Sequence, residues 1–189
     1  MKNKFILIIA VILSILALTL IFFVSNQKPA NTVTNNNMEE KSVLVKGIQE
    51  KVRLINLEKS YQTKTLNNEK FLDHMTDGGA QLVGYFKDGK IYKIVERLGL
   101  SYGVKTYEYY FSNEQLVLVD EKEEDFPDTD NTGSLDYTKV ELAFEGRYYF
   151  DGDKLIDKQI TGQKRFFDNS TEPSFITLAK QNIQLLKTE

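Results

Sequence analysis

The chain has 189 residues, with 24 Lys and Arg against 27 Asp and Glu, one histidine and no cysteine. The absence of cysteine excludes disulfides, thiolate metal sites, thiol nucleophiles and a lipid-modified bacterial leader in one step. A mild net charge of −3 without a basic cluster argues against nucleic acid or an anionic lipid surface, both of which need concentrated Lys and Arg.

Phe5 to Val24 is an unbroken apolar run without charge, preceded by Lys2 and Lys4. At 1.5 Å per residue, a helix of about 20 residues spans the roughly 30 Å hydrocarbon core of a bilayer and satisfies its own backbone there. Residues 1–24 are therefore expected to be an uncleaved signal-anchor, a single-pass transmembrane helix in a cell membrane. Lys2 and Lys4 would hold the N-terminus in the cytoplasm, leaving the remainder outside. The alternative is a secreted protein released by signal cleavage. Against it, the run exceeds the roughly 7–15 apolar residues of such signals, and small-x-small spacing is missing. Ser25 has Phe23 two positions before it, and Ala30 has Lys28. Removing Lys2 and Lys4 from the 24 basic residues leaves 22 against 27 acidic ones, a net of −5 beyond the anchor. An exported domain without disulfides fits a bacterial envelope.

Residues 25–38 (SNQKPANTVTNNNM) are polar and are expected to form a flexible tether, because they bury too little to offset their ordering entropy. Residues 39–189 are expected to form one extracytoplasmic α+β domain. From Glu39 to about Tyr61, Leu44, Ile48, Val52 and Ile55 recur at helical spacing, interrupted by Gly47. A polar stretch follows through Asn67-Asn68, with a short helical turn around Phe71 to Met75.

Six strands are then predicted. Gly79–Lys87 and Lys90–Leu98 flank Asp88-Gly89, Val104–Ser112 and Gln115–Glu121 flank Asn113-Glu114, and Lys139–Phe150 and Lys154–Thr161 flank Asp151-Gly152. Along the fifth, Val140, Leu142, Phe144, Tyr148 and Phe150 alternate with Glu141, Glu145 and Arg147, which predicts one packed face and one wet face. Three aromatic hairpins look alike: GYFKDGKIYKI, EYYFSNEQLVLV and RYYFDGDKLIDK. Their unequal spacing reads as a meander and not as a solenoid. Pro173 opens a last helix striped by Ile176, Ala179, Ile183 and Leu186. The expected fold is α+β: an N-terminal transmembrane helix, then a roughly six-stranded antiparallel meander with an N-terminal and a C-terminal helix packed on one face.

Candidate chemistry is sparse. His74 lies between Asp73 and Asp77, where carboxylates could orient an imidazole or share a cation, but no HExxH spacing accompanies it. The acidic stretch Asp120–Asp136 is expected to be the longest loop. Within it Asp128, Asp130, Thr132 and Gly133 match the opening of a calcium loop, and Asp128, Asp130 and Asp136 are its candidate metal ligands. Lys139 stands where the bidentate Glu belongs, so micromolar binding is not expected. Glu108, Glu141 and Glu145 are candidate paired carboxylates. No GxSxG, S-x-x-K or glycine-rich phosphate loop is present. Tyr110 and Tyr149, on strand faces opposite the expected core, and Arg147 are the candidate binding residues of an exposed aromatic surface. Asn169-Ser170-Thr171 matches a glycosylation acceptor.

These features lead to a membrane-anchored extracytoplasmic domain that is a non-enzymatic binding or envelope-associated module. Its expected partners are the membrane through residues 5–24 and a protein or envelope polymer, with no nucleic acid and no cofactor. The alternative is a cation-dependent or carboxylate hydrolase built on Asp73, His74, Asp77 and the acidic loop. A third reading is a cation-binding envelope stability factor.

Overall fold

The structure is a computed structural model and describes residues 32–73, 75–129, 133–165 and 172–188. The expected membrane span at residues 5–24 and residues 25–31 of the expected tether lie outside these. Among the described residues no helix is long and apolar enough to cross a membrane. The elements are α1 (Thr32–Leu57), β1 (Gln62–Asn67), a 3-10 turn (Asn68–Lys70), β2 (Ala80–Lys87), β3 (Lys90–Leu100), β4 (Gly103–Ser112), β5 (Gln115–Asp125), β6 (Glu141–Asp151), β7 (Lys154–Gly162) and α2 (Glu172–Thr188). The chain divides at Glu40, and Lys41–Glu189 is a compact unit that carries the whole sheet.

The fold is α+β, with seven strands in one antiparallel meander that runs in sequence order from β1 to β7. The strand missing from the sequence reading is β1, where a polar stretch was expected. Among the described residues it pairs only with β2, and it buries only Leu66, so an edge strand of this kind carries almost no apolar signal. The first helix begins at Thr32 instead of Glu39 and takes in the end of the expected tether. The helical turn expected at Phe71–Met75 falls earlier, at Asn68–Lys70. Of the expected acidic loop, Asp120–Asp125 is the second half of β5, because each of these residues pairs with β4.

The three similar hairpins share one construction. Two-residue turns at Asp88-Gly89 and Asn113-Glu114 place both residues at positive φ, as the strands' right-handed twist requires. The third turn is Gly152-Asp153, one residue later than expected, since Asp151 pairs with Lys154. Each hairpin then carries a bulge at its Tyr-Phe pair, between Tyr85 and Phe86, Tyr110 and Phe111, and Tyr149 and Phe150. The extra residues on the returning strands are Tyr92, Val117 and Ile156, and all three pack into the cluster beneath α1. A bulge adds one residue on one side of the ladder, so the same device supplies an extra side chain to the same face three times.

The helices lie on opposite faces, not on one. Successive strand residues point to opposite sides. Tyr109, Phe111, Tyr148 and Phe150 pack with Phe175, Ala179 and Leu186 of α2, whereas Tyr110, Leu118 and Tyr149 pack with Val45, Ile48 and Ile55 of α1. The triplets Tyr109-Tyr110-Phe111 and Tyr148-Tyr149-Phe150 are buried at every position. Three consecutive buried residues require cover on both sides. On α1 Val45 takes the buried place expected for Leu44, and Leu142, expected on the packed face of its strand, is exposed.

Candidate functional site

The structure brings the predicted binding tyrosines together, but under a helix. Tyr110, Leu118 and Tyr149 are neighbours across β4, β5 and β6, and each tyrosine is 1% exposed. Buried hydroxyls need partners. Gln49 Nε2 donates to the Tyr149 hydroxyl at 3.1 Å, and Asn56 Nδ2 donates to the Tyr110 hydroxyl at 3.1 Å. The Tyr110 hydroxyl also donates to Glu108, while Lys93 Nζ lies 3.0 Å from Glu108 Oε2 and over the Tyr110 ring. Burial and then Glu108 push the Tyr110 hydroxyl well above its usual range. The exposed aromatic surface read from the sequence is thus the seat of α1. Arg147 is half-exposed, with Nη2 3.1 Å from Glu145 Oε1 and Nε 3.5 Å from Asp120 Oδ2.

In the remainder of the acidic stretch, Asp128 bridges Leu135 and the Thr129 N–H donates to Ser134 O. The Asp136 carboxylate accepts from the Thr138 N–H and hydroxyl and pairs with Lys139 Nζ at 2.9 Å, and these donors pull it down to about 2. Lys139, the residue that breaks the calcium pattern, therefore occupies an oxygen the ion would need. Asp130 and His74 lie outside the described residues, as does the Asn169-Ser170-Thr171 acceptor. Among the described residues no three His, Cys, Asp or Glu side chains are placed to hold a metal ion.

Asp73 lines a cleft of about 540 Å³ between residues 69–73 and the C-terminal half of α2. Asp77 sits apart from that lining, in an exposed turn closed by the Gly79 N–H to Thr76 O. The outer wall is held by Asn68, at φ 40°, whose Oδ1 accepts from the Ala80 N–H at 2.6 Å and whose carbonyl accepts from the Phe71 and Leu72 N–H groups. Behind it the Gly78 N–H donates to Gly99 O at 2.9 Å and the Gly99 N–H donates to Gly79 O at 2.8 Å. A Cβ at Gly99 would come within 2.5 Å of Gly78 O, so neither position admits a side chain without displacing the wall.

Glu96 of β3 also lines this cleft. Its Oε2 accepts from the Tyr109 hydroxyl at 3.3 Å and from Asn182 Nδ2 at 3.2 Å, and Oε1 makes no hydrogen bond among the described residues. Burial raises the Glu96 carboxyl above its ordinary value, and the Asn182 and Tyr109 bonds only partly offset this. The sequence reading passed over both residues, although each carries a signal. Glu96 interrupts the apolar alternation Ile94-x-Glu96-x-Leu98, and Asn182 falls in the buried stripe of α2 between Ala179 and Leu186.

Further along the same sheet face lies a buried ion network. Glu121 is fully buried, with Lys164 Nζ 2.7 Å from Oε1 and the Tyr148 hydroxyl donating to Oε2 at 3.2 Å. Lys105 Nζ lies 2.8 Å from Glu123 Oε1, and the Arg165 N–H donates to Glu123 Oε2 at 3.2 Å. Residues 163–165, which follow the edge strand β7, are thereby tied back across β6 to β5. This network holds a crossing segment in place, whereas the Glu96 cleft has room for a ligand.

No protein-family model, curated protein or solved structure matches this chain.

Proposed function

We propose that the chain is a membrane-anchored extracytoplasmic binding domain, held by residues 5–24 and recognising a protein or envelope polymer through the Glu96 cleft. The supporting observation is an oriented carboxyl group in a ligand-sized concavity. Pockets of roughly 300–1,000 Å³ suit small ligands or single side chains, with a few placed polar groups setting orientation. Glu96 is held at one oxygen by partners on β4 and α2, so its other oxygen is presented in a defined position. The apolar run after Lys2 and Lys4 supports the location. The test is expression of the full chain in a bacterial host, followed by membrane fractionation and intact-mass analysis. Retention in membranes after alkaline extraction, with the mass of the uncleaved chain, is expected. Soluble protein, or a mass beginning near residues 26–31, overturns the anchored reading.

A second reading is favoured by one fact: Asp73 and Glu96 share the cleft. In a carboxylate hydrolase Glu96, raised by burial, would serve as the acid and Asp73 as the second carboxyl group of the pair. Turnover of glycoside or ester substrates that disappears in Glu96→Gln would establish this reading against pure binding.

A further inference from the structure

We infer that the cleft between α2 and residues 69–73 takes an alkylammonium group, with the cation on Glu96 Oε1 and the chain against Phe71 and Leu185. The inference rests on the reading of this cleft as a binding site and names the chemistry it selects.

Three observations converge. The first is the half-used carboxyl: Tyr109 and Asn182 both donate to Oε2, while Oε1 has no donor among the described residues. A largely buried carboxylate gains most from a charged donor, and an ammonium group carries three N–H bonds. The second is the sign of the lining. Glu69, Asp73 and Glu96 are set against Lys70, which disfavours phosphate, sulfate or carboxylate ligands by like-charge repulsion. The third separates an organic cation from a bare metal ion. The described residues contain no group of three carboxylates or imidazoles able to coordinate a metal, and the cleft walls include Phe71 and Leu185, which offer apolar contact to a methylene chain. A ligand with an ammonium tip and an aliphatic stem satisfies both halves of the lining.

Such a group could come from a lysine side chain of a partner or from a free polyamine. The test is titration calorimetry on the purified full chain in non-ionic detergent. The probes are Nα-acetyl-lysine amide, spermidine, the Nε-acetylated lysine analogue and glutarate. Saturable binding of at least one amine is expected, with the Nε-acetylated analogue about tenfold weaker or worse, as for loss of a hydrogen bond to a charged group. A tighter constant for the lysine amide points to a protein partner, and a tighter one for spermidine points to a free polyamine. Glu96→Gln keeps acceptor oxygen for Tyr109 and Asn182 and should weaken amine binding about tenfold with an unchanged circular dichroism spectrum. Asp73→Asn, at an exposed rim position, gives a variant that leaves the core untouched and should weaken binding about threefold. Equal binding of the acetylated analogue, amine binding indifferent to both variants, or no saturable heat with either amine overturns the inference. Glutarate binding that Glu96→Gln alters overturns the ammonium class while leaving the cleft a binding site. Loss of membrane retention would count against the anchored reading alone.

Discussion

Under α2 the sheet presents Tyr109, Phe111, Tyr148 and Phe150 to Phe175, Ala179 and Leu186, joined by Leu66, Leu82, Ile91, Ile94, Leu116 and Val119. Under α1 the buried cluster is smaller: Tyr110, Val117, Leu118 and Tyr149 against Val45, Ile48 and Ile55. The seats also differ in chemistry. α2 rests on interleaved rings, with Phe175 centroids 4.8 Å from Tyr148 and 6.1 Å from Tyr107, and its polar contact to the sheet at Asn182 opens on the cleft. α1 rests on a thin apolar layer whose tyrosine hydroxyls are bonded by Gln49 and Asn56, two turns apart on one helix face. Apolar burial scales with area and has no direction, while a hydrogen bond is worth about 1 kcal/mol net and fixes register. The difference teaches that α2 supplies stability and α1 is located by directional bonds.

The comparison is most directly broken by ring deletion. Phe150→Ala should cost about 3–5 kcal/mol in denaturant unfolding of the full chain, because its ring is 1% exposed in the larger cluster. A cost near that of an exposed alanine substitution would remove the distinction between the faces. Next comes the charged end of the α2 face. Lys105→Met leaves Glu123, 2% exposed, without its 2.8 Å cation and should cost about 3 kcal/mol, since breaking one partner of a buried pair strands the other. A neutral result would mean that Glu123 is served by the Arg165 N–H alone.

Ile48→Ala under α1 should cost about 2 kcal/mol, the low end for an aliphatic truncation in a small cluster. Tyr149→Phe keeps the ring and removes the acceptor for Gln49, so about 1 kcal/mol is expected. Should Tyr149→Phe exceed Ile48→Ala, α1 is held chiefly by its polar bonds, and the contrast sharpens.

The smallest effect is a sign. Burial holds the Glu96 carboxyl above the ordinary 4.5, so the folded chain binds this proton more tightly than the unfolded chain does. The stability it contributes is full below the unfolded value near 4.5 and is lost as pH rises through the higher folded value. Glu96→Gln should therefore gain stability relative to the parent chain across that window and hold the gain above it. Melting temperatures from pH 4 upward read this out, and a Glu96→Gln variant that loses ground as pH rises would show that Glu96 is favourably charged in the fold.

Much of the meander was legible because hairpin signals are local. Asp88-Gly89 and Asn113-Glu114 sit at positive φ, and the strands flanking them pair antiparallel, Lys87 with Lys90 and Ser112 with Gln115. The strand β1 was hidden because one paired side and one buried leucine give a short polar segment no period. Tyr110 and Tyr149 were read as exposed because alternation was assigned one packed face. The uninterrupted triplets at 109–111 and 148–150 already carried the contrary information. The cleft was not legible as a site. Glu96 and Asn182 each stood out as a polar residue in an apolar pattern, but they are 86 positions apart in the chain.

By itself the sequence determined the hairpin turns at Asp88-Gly89 and Asn113-Glu114, the inward placing of Ala179 and Leu186 on the last helix, and that cysteine is absent, since these follow from neighbouring residues and composition. Only the tertiary structure decided that the helices take opposite faces, that the tyrosine hydroxyls are bonded to α1, and that Glu96, Tyr109 and Asn182 meet. These outcomes depend on contacts between distant segments. Side-chain burial and hydrogen-bond satisfaction are properties of the packed whole, so no local window of the chain contains them.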